Sequence, residues 1–215
     1  PKEYADKFDP DAMPGPHFRN SDLAAQAKLG PVDFQTDAQT PEERGAKKIQ
    51  ALYYAMIALI DDQLARIIQR LDETGQRENT VIIFTSDHGE SLGDHGLLLK
   101  GCRFYDGLVR VPLIFNCPGT IESGVRSEAL VELLDMSATI LDFAGIERPD
   151  YFQGDTLRPI LSGDATPDHH RESVRSEYFD ALDKAFCKGN ASFATMYRTR
   201  RYKLVVYHRN NLGEL

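Results

Sequence analysis

The chain has 215 residues, 41% hydrophobic and 27% charged, with a net charge of −8. That composition belongs to a globular protein with an ordinary core, and the acidic balance with scattered basic residues argues against a nucleic-acid-binding surface. The longest apolar run, Ala51–Ile60, is too short to cross a bilayer, and Cys102, Cys117 and Cys187 lack the C-x-x-C spacing of a zinc site or a disulfide framework.

From residue 1 to about 45 the chain is rich in Pro, Asp and Gly, with Pro1, Pro10, Pro14, Pro16, Pro31 and Pro41 spread through it. This predicts a long surface-hugging segment with one short helix near Ala24 to Lys28. A segment of that kind usually has a function or belongs to a larger body. Thr40-Pro41-Glu42-Glu43 has the residues of a helix start, with Thr as N-cap, Pro in the first turn and Glu at the third position. Apolar residues at Ile49, Leu52, Tyr53, Met56, Leu59, Ile60, Leu64, Ile67, Ile68 and Leu71 predict one buried face along a long helix, ended by Thr74-Gly75.

Thr80-Val81-Ile82-Ile83-Phe84 then reads as a strand buried on both faces, and the helix-then-strand order predicts a parallel crossover. Val111 to Cys117 is a second strand, stopped by Pro118-Gly119. Val131 to Ala144 mixes a strand end with a helix stopped at Gly145, and Leu157 to Leu161 is a short helix or turn. After Gly163 the pattern changes. Ser173–Phe179, Ser192–Tyr197 and Tyr202–Tyr207 predict a small antiparallel sheet. A boundary is therefore expected near residue 165, with an α/β part over 1–165 and a small β part over 166–215.

The chemistry concentrates at Thr85-Ser86-Asp87-His88-Gly89, with Lys100 twelve residues after the histidine. Ligands in open α/β sheets bind beyond the carboxyl ends of strands. Asp87 is a hard oxygen donor suited to Ca²⁺, Mg²⁺ or Mn²⁺, while an imidazole at His88 shifts preference towards Mn²⁺ or Zn²⁺. Lys100 on the following loop can reach an anion bound to that metal. The combination suits hydrolysis of a sulfate or phosphate ester. The plainer readings are a strand-end aspartate capping a turn, a loop-bonded histidine and a solvated lysine.

Asp94-His95 echoes the Asp-His pair, but its flanking glycines Gly93 and Gly96 mark a turn. Loop shaping is the expected role, with His95 a candidate substrate contact. Arg103 is a second candidate contact for an anionic substrate, and Arg110 a weaker one. Asp61-Asp62 reads as a solvated helix surface, Cys102 as a small loop residue, and His169-His170 as exposed. His17 and His208 carry no signal.

With these residues in view, the chain resembles the C-terminal half of a sulfatase, in the alkaline phosphatase superfamily. The resemblance runs in order through Tyr53–Ala58 with Ile60–Gln63, Asn79–Glu90, Gly93–Gly96, Lys100-Gly101, Phe104–Asp106, Val109–Ile114, Leu134-Asp135, Leu141–Ile146, Arg201–Leu204 and Gly213–Leu215. It implies an α/β fold, the C-terminal part of an alkaline-phosphatase-like mixed sheet flanked by helices, plus a small antiparallel β subdomain. It also implies a metal-dependent sulfuric ester hydrolase acting on a small-molecule or glycan sulfate ester, with no nucleic-acid partner and no membrane span.

By the same resemblance Asp87 and His88 hold a divalent metal, Ca²⁺ first with Mn²⁺ or Mg²⁺ as alternatives, and Lys100 contacts the sulfuryl oxygens. The family's nucleophile is a Cys or Ser in a Cys-x-Pro-x-Arg-like motif, converted to formylglycine. None of the three cysteines has Pro two residues on and Arg four on. The paired metal carboxylates of the family's first strand are also missing. The formylglycine is therefore expected upstream, and these residues are not expected to turn over substrate alone. Asn stands at the position of His88 in many sulfatases, whereas some sulfatases and the related phosphonate monoester hydrolases have His. A phosphonate monoester or phosphodiester hydrolase is thus the alternative, and a non-catalytic relative the third reading.

Overall fold

The computed structural model describes residues 1–32, 35–179, 192–208 and 212–215; Cys187 lies outside them. The chain opens with the single-turn helix α1 (Lys2–Ala5) and continues to α2 (Asn20–Leu29), α3 (Pro41–Arg44) and the long α4 (Ala46–Glu73). Strand β1 (Ile82–Thr85) follows, then α5 (Asp106–Val109), β2 (Leu113–Asn116), α6 (Leu134–Phe143) and α7 (Arg158–Leu161). Strands β3 (Ser173–Phe179), β4 (Phe193–Thr199), β5 (Lys203–His208) and β6 (Leu212–Glu214) form one sheet in that order. No described helix is long and apolar enough to cross a membrane.

Two compact units interleave along the chain. The first gathers Pro1–Arg77 and His88–Val111 with the chain around Phe179 and Phe193; the second gathers Glu78–Asp87, Pro112–Tyr178 and Ala194–Leu215. Residue 165 lies inside the second unit.

In the first unit the predicted capping box forms: Thr40 Oγ1 accepts from Glu43 N at 3.3 Å, and Thr40 N donates to Glu43 Oε2 at 3.0 Å. The helix it starts is nonetheless broken at once, because Gly45 adopts φ 64° and separates α3 from α4. The Pro-rich opening is strapped to α4 by specific bonds, Tyr4 Oη to Asp62 Oδ2 at 2.7 Å and Gly15 N to Gln50 Oε1 at 3.1 Å. Its helix α2 extends beyond the predicted Ala24–Lys28 at both ends.

The face of α4 that is buried differs from the predicted one. Ala46, Gln50, Ala51 and Ala55 are buried, whereas Leu52, Met56, Ile60 and Ile67 are exposed. The reason is shape. Small residues allow close approach, and the opening segment is bonded to this helix at Gln50, beside Ala51, and at Asp62.

In the second unit β1 pairs with β2 antiparallel, from Ile82 opposite Asn116 to Thr85 opposite Leu113. The expected parallel crossover is not this pairing, because the chain turns back through residues 86–112 before forming β2. Neither strand is fully buried: β1 is half-buried throughout and Ile114 of β2 is exposed. The predicted strand end at Val131 is absent, and α6 begins at Leu134. The late strands appear where alternation placed them, with β5 and β6 antiparallel and Tyr207 and Met196 in their core.

His170 also departs from expectation. Its side chain is only 10% exposed, with Nε2 3.4 Å from Oδ2 of the fully buried Asp135. Two adjacent histidines in a polar stretch suggest exposure, but a buried carboxylate needs donors and draws one of them in. At the far end of α6, the Thr156 hydroxyl and then the Arg158 guanidinium hold the Asp142 carboxyl below its usual range.

Candidate metal and anion site

Asp87 belongs to the second unit and His88 to the first, adjacent in the chain just past β1. Both are exposed. Ser86 Oγ lies 3.4 Å from Asp87 Oδ1, a weak contact on one carboxylate oxygen. His88 Nδ1 lies 2.8 Å from the carbonyl oxygen of Gly89. A carbonyl can only accept, so Nδ1 carries a proton, and in the neutral ring the lone pair is then on Nε2. That is the tautomer a metal-ligating histidine needs.

Gly89 is required by a close approach. Its N donates to Leu108 O at 2.8 Å, and a Cβ there would stand 1.8 Å from the Gly107 carbonyl oxygen. The backbone after His88 is thus pressed onto α5, where only glycine fits.

The loop to Lys100 is pinned by its backbone. Gly93 N donates to Leu97 O at 2.8 Å, and Leu97 is 1% exposed. The carbonyl of Leu99 accepts from Ser91 Oγ at 2.6 Å and from Gln35 Nε2 at 2.5 Å. Two donors on the carbonyl just before Lys100 orient its backbone, while its side chain stays 45% exposed. The Lys100 ammonium stands 3.6 Å from Glu90 Oε2. Sequence reasoning misses Glu90, since a carboxylate ten residues from its partner on an irregular loop leaves no periodic signal.

Asp94-His95 shapes the loop. His95 has φ 54°, a left-handed conformation rare for a residue with a side chain. Its N donates to His17 O at 2.8 Å, while His17 N donates to Asp94 Oδ1 at 2.8 Å. The His95 ring stacks on Tyr105 at 3.9 Å, with Nδ1 3.6 Å from Asp22 Oδ2. Arg103 is turned inward and only 4% exposed. Its guanidinium bonds Gln26 Oε1 at 3.1 Å, Leu29 O at 3.2 Å and Cys102 O at 3.2 Å. Cys102 is itself buried.

Among the described residues, no group of three or more His, Cys, Asp or Glu is placed to hold a metal ion. Taken singly, the carboxylate of Asp87 and the imidazole of His88 are donor types that divalent cations accept.

A family model described as Sulfatase matches residues 2–146, more than half of the chain. The chain belongs to the sulfatase family. A second model, N-sulphoglucosamine sulphohydrolase, C-terminal, matches residues 93–215 of this sulfatase-family chain. It is 34% identical over 164 residues to the N-acetylglucosamine-6-O-sulfatase of Bacteroides thetaiotaomicron, covering 75% of this chain and 28% of that protein. It is 37% identical over 147 residues to the multifunctional alkaline phosphatase superfamily protein PehA of Trinickia caryophylli, covering 66% of this chain and 28% of that one.

Among solved structures, the phosphonate monoester hydrolase from Silicibacter pomeroyi superposes with a TM-score of 0.83 at 30% identity, covering 99% of this chain and 46% of that one. The sulfatase-family chain thus spans less than half the length of these relatives, and its α/β fold is that of the alkaline phosphatase superfamily.

Proposed function

We propose that this chain is the C-terminal part of a metal-dependent sulfuric ester hydrolase, supplying Asp87 and His88 to the metal and Lys100 to the sulfuryl group. What supports the sulfate-ester reading is the match of the Sulfatase model to residues 2–146, and what supports a metal ligand here is the state of His88. Its Nδ1 proton is held by the Gly89 carbonyl, which leaves Nε2 as the ring's lone-pair donor, and Asp87 precedes it in the chain just past β1.

A divalent cation held there, Ca²⁺ in the first instance, would act as a Lewis acid on the ester oxygens and on the attacking nucleophile. Asp87 contributes negative charge that favours the cation, and His88 presents a neutral nitrogen donor. The remaining ligands and the formylglycine nucleophile are assigned to sequence outside these 215 residues. The Lys100 ammonium offsets charge developing on the sulfuryl oxygens, and Glu90 keeps it oriented before substrate arrives. The substrate class is a small-molecule or glycan sulfate ester, in keeping with the sulfatase named among the relatives.

His88 and the close superposition on a phosphonate monoester hydrolase favour a second reading, hydrolysis of phosphonate monoesters or phosphodiesters. The test is kcat/KM of the full-length enzyme on an aryl sulfate and on an aryl phosphonate monoester. A larger value for the sulfate is expected. A larger value for the phosphonate would transfer the assignment to the second reading, and hydrolysis of neither would leave a non-catalytic relative.

A further inference from the structure

Asp22, Gln26 and Leu29 lie four and three residues apart, on one face of α2. Each engages a residue flanking the Lys100 loop. Asp22 Oδ2 stands 3.6 Å from His95 Nδ1, before the loop. Gln26 Nε2 donates to Tyr105 Oη at 2.6 Å, and its Oε1 accepts from Arg103 Nε at 3.1 Å, both after the loop. The carbonyl of Leu29 accepts from Arg103 Nη2 at 3.2 Å. All of these residues belong to the first unit.

We infer that this face of α2 is a brace that sets the position of Lys100, and that Gln26 is its central positioning residue. The inference rests on the function proposed for Lys100.

Packing alone does not explain the choice of residues. Gln26 is 5% exposed and Arg103 4%. Burying an amide against a guanidinium costs desolvation that an apolar pair would avoid, so it is tolerable only when the hydrogen bonds are made. Both ends of the Gln26 amide are used, and they reach two residues separated only by Phe104. His95 adds a strained backbone on the other stem, held by stacking on the same Tyr105. With both stems fixed and the Leu99 carbonyl doubly bonded, the lysine that follows inherits a defined direction. A misplacement of about 1 Å can cost up to about 100-fold in rate.

The test uses the full-length enzyme in two readouts. In the first, Gln26→Leu is made in the native background and in Lys100→Ala. It is expected to lower kcat about tenfold with KM little changed in the former, and by less than about twofold in the latter, the non-additivity of groups that act through one another. An equal loss in both backgrounds would overturn the inference. In the second, Gln26→Leu is expected to speed amide hydrogen exchange over residues 97–103, and unchanged exchange there would overturn it. Gln26→Glu keeps acceptors for both Arg103 and the Tyr105 hydroxyl and is expected to restore slow exchange. If the enzyme hydrolysed neither ester, the functional reading would fall while the exchange readout still decided the brace.

Discussion

Lys100→Ala is expected to lower kcat of the full-length enzyme by about 100-fold to 1,000-fold, the usual consequence of deleting one preorganised donor to developing transition-state charge. Its stability should barely change. The Lys100 side chain is 45% exposed, and its ion pair is with a single carboxylate, Glu90. Such half-exposed pairs contribute about 0–1 kcal/mol. Activity and stability are therefore expected to separate at this residue under the proposed role. Lys100→Arg is expected to recover only part of the loss, because a planar fork cannot reproduce a compact ammonium. The readouts are steady-state kinetics and the thermal midpoint. A loss below about threefold, well short of one lost donor, would return Lys100 to the class of solvated loop lysines.

The opposite separation is expected at Asp135. Its side chain is fully buried in the first turn of α6, where the helix dipole favours negative charge. Oδ1 accepts from Asp155 N at 2.9 Å and from the Arg171 guanidinium; Oδ2 accepts from Glu132 N at 2.9 Å and faces His170. Arg171 also pairs with Glu132 Oε2 at 3.1 Å, and Glu132 Oε1 accepts from Arg175 N at 2.6 Å. One carboxylate thus ties together the start of α6, the chain before α7 and the entry to β3.

Removing one partner of a buried ion pair typically costs about 3–5 kcal/mol. Arg171 is 19% exposed and can regain some water, so Asp135→Ala is expected near the lower end, about 3 kcal/mol. Urea unfolding monitored in the second unit measures it. A loss under about 1 kcal/mol, the size of an exposed pair, would mean that the cluster is incidental.

The parts of the fold legible in the sequence are those set by local chemistry. Thr40-Pro41-Glu42-Glu43 predicted a capping box, and that box forms. The alternation in Ser173–Phe179 and Tyr202–Tyr207 predicted strands that are present. What periodicity could not supply was the choice of face and neighbour. The apolar stripe through Leu52, Met56 and Ile60 predicts the core side of α4, yet Ala46, Ala51 and Ala55 are buried instead. The direction of β1 against β2 likewise depends on the path of the intervening loop.

The candidate site divides in the same way. Asp87, His88 and Lys100 stood out because a strand end and a fixed spacing mark them. Glu90, Gln26 and the inward turn of Arg103 depend on pairings across irregular backbone, which leave no pattern along the chain.

The most direct measurement is the metal content of the purified full-length enzyme, by elemental analysis, for the native protein and Asp87→Ala, with aryl sulfatase activity on the same samples. The account predicts one tightly held divalent cation in the native protein. Its affinity should fall by more than about 100-fold in the variant, beyond the effect of losing an outer-shell partner, with activity lost in proportion. Full metal occupancy and undiminished activity in Asp87→Ala would contradict the account.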